Sequence, residues 1–201
     1  MRKMNHEAGG AFALAKRVGI IGANTLGVDL ARHFVDAGIP VTVFDFERNS
    51  LDSGVAAARS HYQARIPRDK RMSLLAGTVN LHHLKDCDLI LEAGSSDLGK
   101  ALFQRLGEFA KPGAILMTTV PHRDTSYIAG FRKRPGEAAD LSVAGAPHAF
   151  DTWQFVCRNG TTAETLDGAL ALSRELCMAA GADAAVTPAA GAGRTAVPPA
   201  R

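Results

Sequence analysis

Apolar residues along this chain fall in short unbroken runs that alternate with longer segments of helical period. Residues 17–22, Arg-Val-Gly-Ile-Ile-Gly, predict a buried strand. The next segment predicts a helix over about 25–37, with Leu26, Leu30, Ala31 and Phe34 on one face and Gly38 at its end. Val41-Thr42-Val43-Phe44, closed by Asp45, predicts a second strand over 41–45, and a helix is expected over 49–66 with Asn49 or Ser50 as its cap. A further buried strand is expected within 86–93, then a helix over 97–110, a turn at Lys111-Pro112-Gly113 and a strand over 114–119. Shorter strands are expected at 141–145 and 152–158. An amphipathic helix is expected from Thr162 to Ala180, capped by Thr161 or Thr162 and stopped by Gly181. Strands that alternate with helices in this way imply an α/β fold built on an open, mostly parallel sheet.

With 201 residues and 46% apolar content, the chain can bury one good core, and one domain is expected over 17–187. Residues 1–16 read as a flexible leader, and 188–201, rich in Ala, Gly, Pro and Arg, as a disordered tail. The formal net charge is only +3, and the small basic clusters at Arg65–Arg71 and Arg132–Arg134 read as solvated surface, not as a nucleic-acid footprint. The 68–71 cluster lies in an expected loop, where it could help hold a phosphorylated substrate. Cys87, Cys157 and Cys177 share no C-x-x-C spacing, and an odd count argues against a disulfide framework. The apolar stretch Ala11–Ala15 is too short for a secretory signal and no run approaches a membrane span, so a soluble cytoplasmic protein is expected.

The chemistry sits around the first turn. Between the first strand and helix the chain reads Gly22-Ala23-Asn24-Thr25-Leu26-Gly27. Gly22 permits a tight turn, Gly27 lets the helix pack on the strand, and the helix N-terminus offers free N–H groups, at Thr25 and Leu26, to a pyrophosphate. Asp45, 23 residues after Gly22, stands where a carboxylate accepts hydrogen bonds from adenosine ribose hydroxyls. Strand, turn, helix and acid in this register imply a dinucleotide site. The acid repels a 2′-phosphate, and Phe46 follows it where a cation would be needed, so NAD is favoured over NADP. Asn24 departs from G-x-G-x-x-G at the middle glycine. Its side chain is expected to crowd the pyrophosphate and weaken binding by about 1–2 kcal/mol, the scale of a strained backbone position.

The remaining histidines carry less. His82 and His83 are adjacent, so in an extended segment they would face opposite ways and share no metal; His33 is expected to be exposed mid-helix. No carboxylate–histidine spacing suggests a metal site.

Arg17–Gly27, Val41–Asp45, Asp86–Ala93, Ala101–Leu106 and Pro112–Leu116, in this order and spacing, resemble the NAD-binding domain of 3-hydroxyacyl-CoA dehydrogenases over roughly residues 16–187. The resemblance implies a Rossmann-like, doubly wound fold, NAD as cofactor, and hydride transfer to or from C3 of an acyl-CoA substrate. It places Ala93 and Lys100 among the cofactor-binding positions, because Glu92-Ala93 matches the family's Glu-Ala-x-x-Glu and Lys100 the Lys that follows. The family's second acid falls on Ser96 or, with a gap, on Asp97. A helical C-terminal domain follows in the family. Here the matching place reads Thr187-Pro188-Ala189-Ala190 and the sequence stops soon after, so either a separate partner chain supplies that domain or the substrate is small.

The family's catalytic pair is a His held by a Glu. Two registers compete for it. One aligns Gly145 with the His; the other keeps His148 and requires a deletion after it; both put Cys157 at the Glu. His148 is the candidate catalytic residue, with Asp151 as a possible orienting acid. The family's Ser after the fifth strand is Val120, and His122 lies just beyond. Two functions follow: an NAD(H)-dependent oxidoreductase of 3-hydroxyacyl thioesters, or a pseudo-enzyme that keeps the dinucleotide cleft without catalysis. A truncated, non-functional homologue is a third reading.

Overall fold

The computed structural model describes residues 16–65, 70–93, 99–119, 138–146, 149–157, 162–163, 167–168, 171 and 183–188. All of the expected leader but Lys16, the tail beyond Pro188 and nearly all of the helix expected over 162–180 lie outside these residues, as do His122 and Arg132–Arg134. The elements are β1 Val18–Ile21, α1 Thr25–Asp36, β2 Val41–Phe44, α2 Arg48–Arg65, β3 Leu75–Thr78, β4 Leu89–Glu92, α3 Gly99–Phe109, β5 Ile115–Thr118, β6 Ala138–Ala146, β7 Ala149–Cys157 and β8 Asp183–Pro188. Single turns of 3-10 helix occupy Lys70–Leu74 and Leu81–Leu84.

One sheet carries the strands in the order β3-β2-β1-β4-β5-β6-β7-β8. From β3 across to β6 every neighbouring pair is parallel. β6 and β7 are antiparallel, and β8 lies parallel to β7. This is the doubly wound, mostly parallel Rossmann-like arrangement expected. Strand order reverses at β1: the chain moves one way through β2 and β3, then β4 returns to the other side of β1. In sheets of this kind the carboxyl ends of the strands on either side of such a reversal are where ligands bind.

Successive strand residues point to opposite faces, and each face has its own core. Val18, Ile20, Val41, Val43, Leu89 and Leu91 pack with Leu30, Phe34 and Val35 of α1 and Leu51 and Tyr62 of α2. Ile21, Phe44, Ile90 and Leu116 pack instead with Leu102, Phe103 and Leu106 of α3 and with Leu81 and Leu84. Burial on both faces explains why β1, β4 and β5 are unbroken buried runs. α1 stops at Gly38, whose φ of 79° suits glycine. There the Gly38 and Ile39 N–H groups return to the Val35 and Phe34 carbonyls at 3.0 and 2.9 Å.

Several expectations are corrected. α2 begins at Arg48, so Asn49 and Ser50 lie inside the helix and do not cap it. β3 was not expected: Leu-Ala-Gly-Thr carries little strand signal, and it forms by pairing along the open edge of β2. The expected 141–145 and 152–158 strands are a longer hairpin of nine residues on each side, with a register shift between Ala144 and Gly145. Pro188, assigned to the tail, closes β8 opposite Cys157. His82 and His83 sit on a 3-10 turn, not an extended segment. They still diverge: His82 leans on the Phe109 ring at 5.2 Å, while His83 Nδ1 lies 2.8 Å from the Thr78 hydroxyl.

His33 is half-buried, not exposed. Burial lowers its pKa below the ordinary 6.5; the Asp36 carboxylate pulls the other way and Arg32 adds to the lowering. Next to it, Arg32 links the two helices of this face. Its guanidinium reaches Asp29 at 3.2 Å and His61 Nε2 at 2.8 Å, and the Tyr62 hydroxyl donates to its carbonyl at 3.1 Å. Arginine only donates, so His61 accepts through Nε2 as the neutral ring. Burial pushes the Tyr62 hydroxyl pKa well up, with Asp36 adding to it.

Two outcomes follow. A Cβ at position 27 would stand 1.9 Å from the Gly22 carbonyl oxygen, a backbone atom that cannot step aside. Gly27→Ala should therefore cost about 3 kcal/mol in urea denaturation, the upper end of overpacking effects; a loss below about 0.5 kcal/mol would contradict this packing. For His33, the native state binds protons less readily than the unfolded chain. Its contribution is complete above pH 6.5 and is lost as pH falls through the lowered folded value. Stability measured from about pH 8 down to 5 should decline, and less steeply in His33→Gln; identical slopes would remove the assignment.

Candidate nucleotide site

The site is assembled from main-chain groups at the end of β1. Gly22 turns with φ 105°, and its N–H extends the sheet by bonding the Phe44 carbonyl at 2.8 Å. The Ala23 N–H points to Asp45, whose Oδ2 accepts it at 2.8 Å, while Oδ1 accepts the Glu47 N–H at 3.0 Å. One carboxylate thus ties the glycine turn to the start of α2. Gly54 of α2 completes this contact, since a Cβ there would come within 2.5 Å of the Ala23 carbonyl. Each Asp45 oxygen keeps a lone pair for a further donor.

Asn24 caps α1. Its Oδ1 accepts the Gly27 N–H at 2.9 Å, and its Nδ2 donates to the Ala93 carbonyl at 2.5 Å. Its backbone, at φ −73° and ψ 178°, is ordinary extended chain. The expected strained backbone is therefore absent, and any effect of this residue comes from its carboxamide. Thr25 and Leu26 follow as the first two residues of α1, whose N–H groups no intrahelical carbonyl can reach. Together with the helix dipole they form an anion-binding end.

A cleft of about 940 Å³ opens beside this turn, with Ala23, Thr25 and Asp45 at one end and Arg32 and His61 at the other, between α1 and α2. It has room for an adenosine, and Asp45 is half-buried at its wall. The residues present fit the adenosine and phosphate parts of a dinucleotide: a tight turn, two free N–H groups and a carboxylate with spare acceptor capacity, all within one βαβ unit. Across the crevice, Glu92 ends β4 with 2% exposure, and its Oε2 accepts the Thr118 hydroxyl of β5. The Thr119 N–H and hydroxyl both bond the Glu92 carbonyl, at 2.9 and 3.1 Å.

Of the sequence-predicted residues, Gly22, Asn24, Thr25, Leu26, Gly27, Asp45 and Ala93 come together at the carboxyl ends of β1, β2 and β4. Lys100 is the second residue of α3. His148 lies outside the described residues. Cys157, aligned with the family's Glu, is the last residue of β7. Its neighbour Val156 pairs with Asp140, five residues from Gly145; at the usual rise that is about 17 Å along the strand. Gly145 and Cys157 therefore do not face each other. The buried Glu92–Thr118 pair and the Asn24–Ala93 bridge escaped sequence reasoning; the run of β4 ending in a carboxylate was the only local sign of the former.

Among the described residues no three His, Cys, Asp or Glu side chains group to hold a metal ion, and no helix is long and apolar enough to cross a membrane. Cys87 is fully buried in the core, and that loss of hydration pushes its thiol up to about 11.

Residues 17–180 match the family described as 3-hydroxyacyl-CoA dehydrogenase, NAD binding domain. The chain is 25% identical over 160 residues to the 3-hydroxyadipyl-CoA dehydrogenase of Escherichia coli K12, covering 75% of this chain and 34% of that protein. It is 24% identical over 170 residues to the 3-hydroxybutyryl-CoA dehydrogenase of Clostridioides difficile, covering 80% and 60%. The crystal structure of 3-hydroxybutyryl-CoA dehydrogenase from Escherichia coli K12 superposes with a TM-score of 0.76 at 23% identity, over 88% of this chain and 39% of that one. The chain thus spans between about a third and three fifths of the length of these relatives. A glycine turn pinned by the strand-end carboxylate, on a sheet that reverses at β1, agrees with the matched region: the chain belongs to the 3-hydroxyacyl-CoA dehydrogenase family, through its NAD-binding domain.

Proposed function

We propose that this chain binds NAD(H) in the crevice over β1, with the adenosine ribose on Asp45 and the pyrophosphate on the first turn of α1. The observation that carries this reading is the Asp45 carboxylate, which holds the Ala23 N–H at 2.8 Å at the wall of the cleft. Asp45 both shapes the turn and offers its remaining lone pairs to the ribose diol. Its charge disfavours a 2′-phosphate there.

The reaction proposed is that of the family: oxidation of a 3-hydroxyacyl thioester, or reduction of the 3-oxo form. Bound NAD(H) supplies the hydride chemistry. His148 takes or returns the proton on the substrate oxygen, and a helical partner domain completes the acyl-CoA site, in keeping with relatives longer than the matched region. One observation favours a second reading. Cys157 stands at the family's Glu and lies far along the hairpin from Gly145, so a chain that binds nucleotide without turning over substrate is the competing proposal.

Titration calorimetry checks the binding step. NADH should bind at least about tenfold tighter than NADPH, a difference of about 1.4 kcal/mol. Asp45→Ala should weaken NADH about tenfold and lower stability by about 1–2 kcal/mol, because it leaves the Ala23 N–H without its acceptor. Equal affinity for the two cofactors, or an unaffected variant, would overturn the placement of the ribose. Catalysis is checked by following NADH consumption with acetoacetyl-CoA. Turnover that survives His148→Ala unchanged would discard the role of His148, and absence of turnover by the intact chain would leave the non-catalytic reading.

A further inference from the structure

Asn24 stands between the two glycines of the turn and uses both ends of its carboxamide. Oδ1 takes the Gly27 N–H at 2.9 Å, and Nδ2 reaches the Ala93 carbonyl, 69 residues away, at 2.5 Å. The side chain therefore runs from the first turn of α1 to the residue just after β4. β1 and β4 are neighbours in the sheet, so the bridge lies over the seam where strand order reverses.

A dinucleotide at such a reversal lies across that seam. Its adenosine sits on the β2 side, its phosphates at the start of α1, and its second nucleoside on the β4 side. On the β2 side the large cleft is lined by Ala23, Thr25 and Asp45, and Asn24 itself stands at its edge, so an adenosine there meets the carboxamide without crossing to Ala93. The second nucleoside, by contrast, must pass the bridge. The extended backbone at Asn24 carries no strain that ligand binding could relieve. To clear the way, the carboxamide has to give up its bond to Ala93, and the Ala93 carbonyl, on a residue 2% exposed, then loses that donor.

Resting on the reading of this cleft as an adenine-nucleotide site, we propose that Asn24 selects the adenosine diphosphate moiety over the whole dinucleotide. A ligand that ends at its β-phosphate meets the carboxamide at the turn but does not have to break its bond to Ala93. NADH gains contacts on the β4 side and spends them on breaking it. The chain then holds ADP as tightly as NADH, or more tightly, and loading with the redox cofactor is gated by one side chain.

The test is calorimetric titration of ADP and NADH into the full chain and two variants. Asn24→Gly removes both bonds, and glycine at a helix cap costs only a few tenths of a kcal/mol, so the fold is retained. Asn24→Ser keeps a cap oxygen for the Gly27 N–H but is too short to reach Ala93. In the unmodified chain ADP should bind at least as tightly as NADH. Both variants should tighten NADH about fivefold, one hydrogen bond's worth, and tighten ADP, which meets only the crowding at the turn, by clearly less. Thermal unfolding of each variant confirms that the protein titrated is folded. If NADH does not tighten, or ADP tightens equally, or Asn24→Ser behaves as the unmodified chain, the selection by Asn24 is overturned while nucleotide binding stands. If neither nucleotide binds in any arm, the reading of the cleft itself fails, and this inference with it.

Discussion

Two backbone N–H groups from different parts of the chain converge on the carboxylate of Asp45, and the site depends on that convergence. Ala23 leaves β1 through a turn that only a positive φ at Gly22 allows. Glu47 precedes α2. An anion between them satisfies two donors that would otherwise need water, and it sets the distance between turn and helix. The same carboxylate stands at the wall of the cleft, so on the proposed reading structural and ligand-binding demands fall on one residue. The turn is held by charge-assisted hydrogen bonds where a packed side chain would fill the space the ligand needs.

Close approach of backbones makes that arrangement possible. Gly27 lets α1 descend onto the Gly22 carbonyl, and Gly54 lets α2 come against the Ala23 carbonyl. Neither contact could form with a methyl group in place. Beneath them, the two faces of β1, β2 and β4 are filled by separate apolar cores, which hold the strand ends still. On the helix side of the cleft, Arg32 adds a polar link between α1 and α2 through Asp29 and His61. That link shapes the far end of the cavity.

The ends of β4 and β5 are built differently. Glu92 and Thr118 pair in the buried space between the ends of β4 and β5, and Thr119 folds back on the Glu92 carbonyl. These bonds close the ends of β4 and β5. The hairpin beyond, β6 and β7, separates Cys157 from Gly145 along its length. The turn after β1 thus holds its carboxylate, glycine and helix-end groups together, whereas Gly145 and Cys157 stand well apart along the hairpin.

Local periodicity determined β1, α1 and β2, because each is stabilised by residues near it in sequence: buried aliphatic runs, an apolar stripe and a glycine stop. The position of Asp45 at a strand end, and hence its candidacy, was legible for the same reason. Tertiary structure alone decided the rest. β3 exists because β2 offers an open edge, not because Leu-Ala-Gly-Thr prefers to be extended. The tie between Asp45 and the glycine turn spans 22 residues and forms only when β2 lies beside β1. The Asn24 carboxamide was legible as a departure from glycine, but its partner is 69 residues away, brought near only when β4 returns beside β1. Hydrogen bonds between distant strands leave no periodic trace in sequence, and those bonds determine how this crevice is closed.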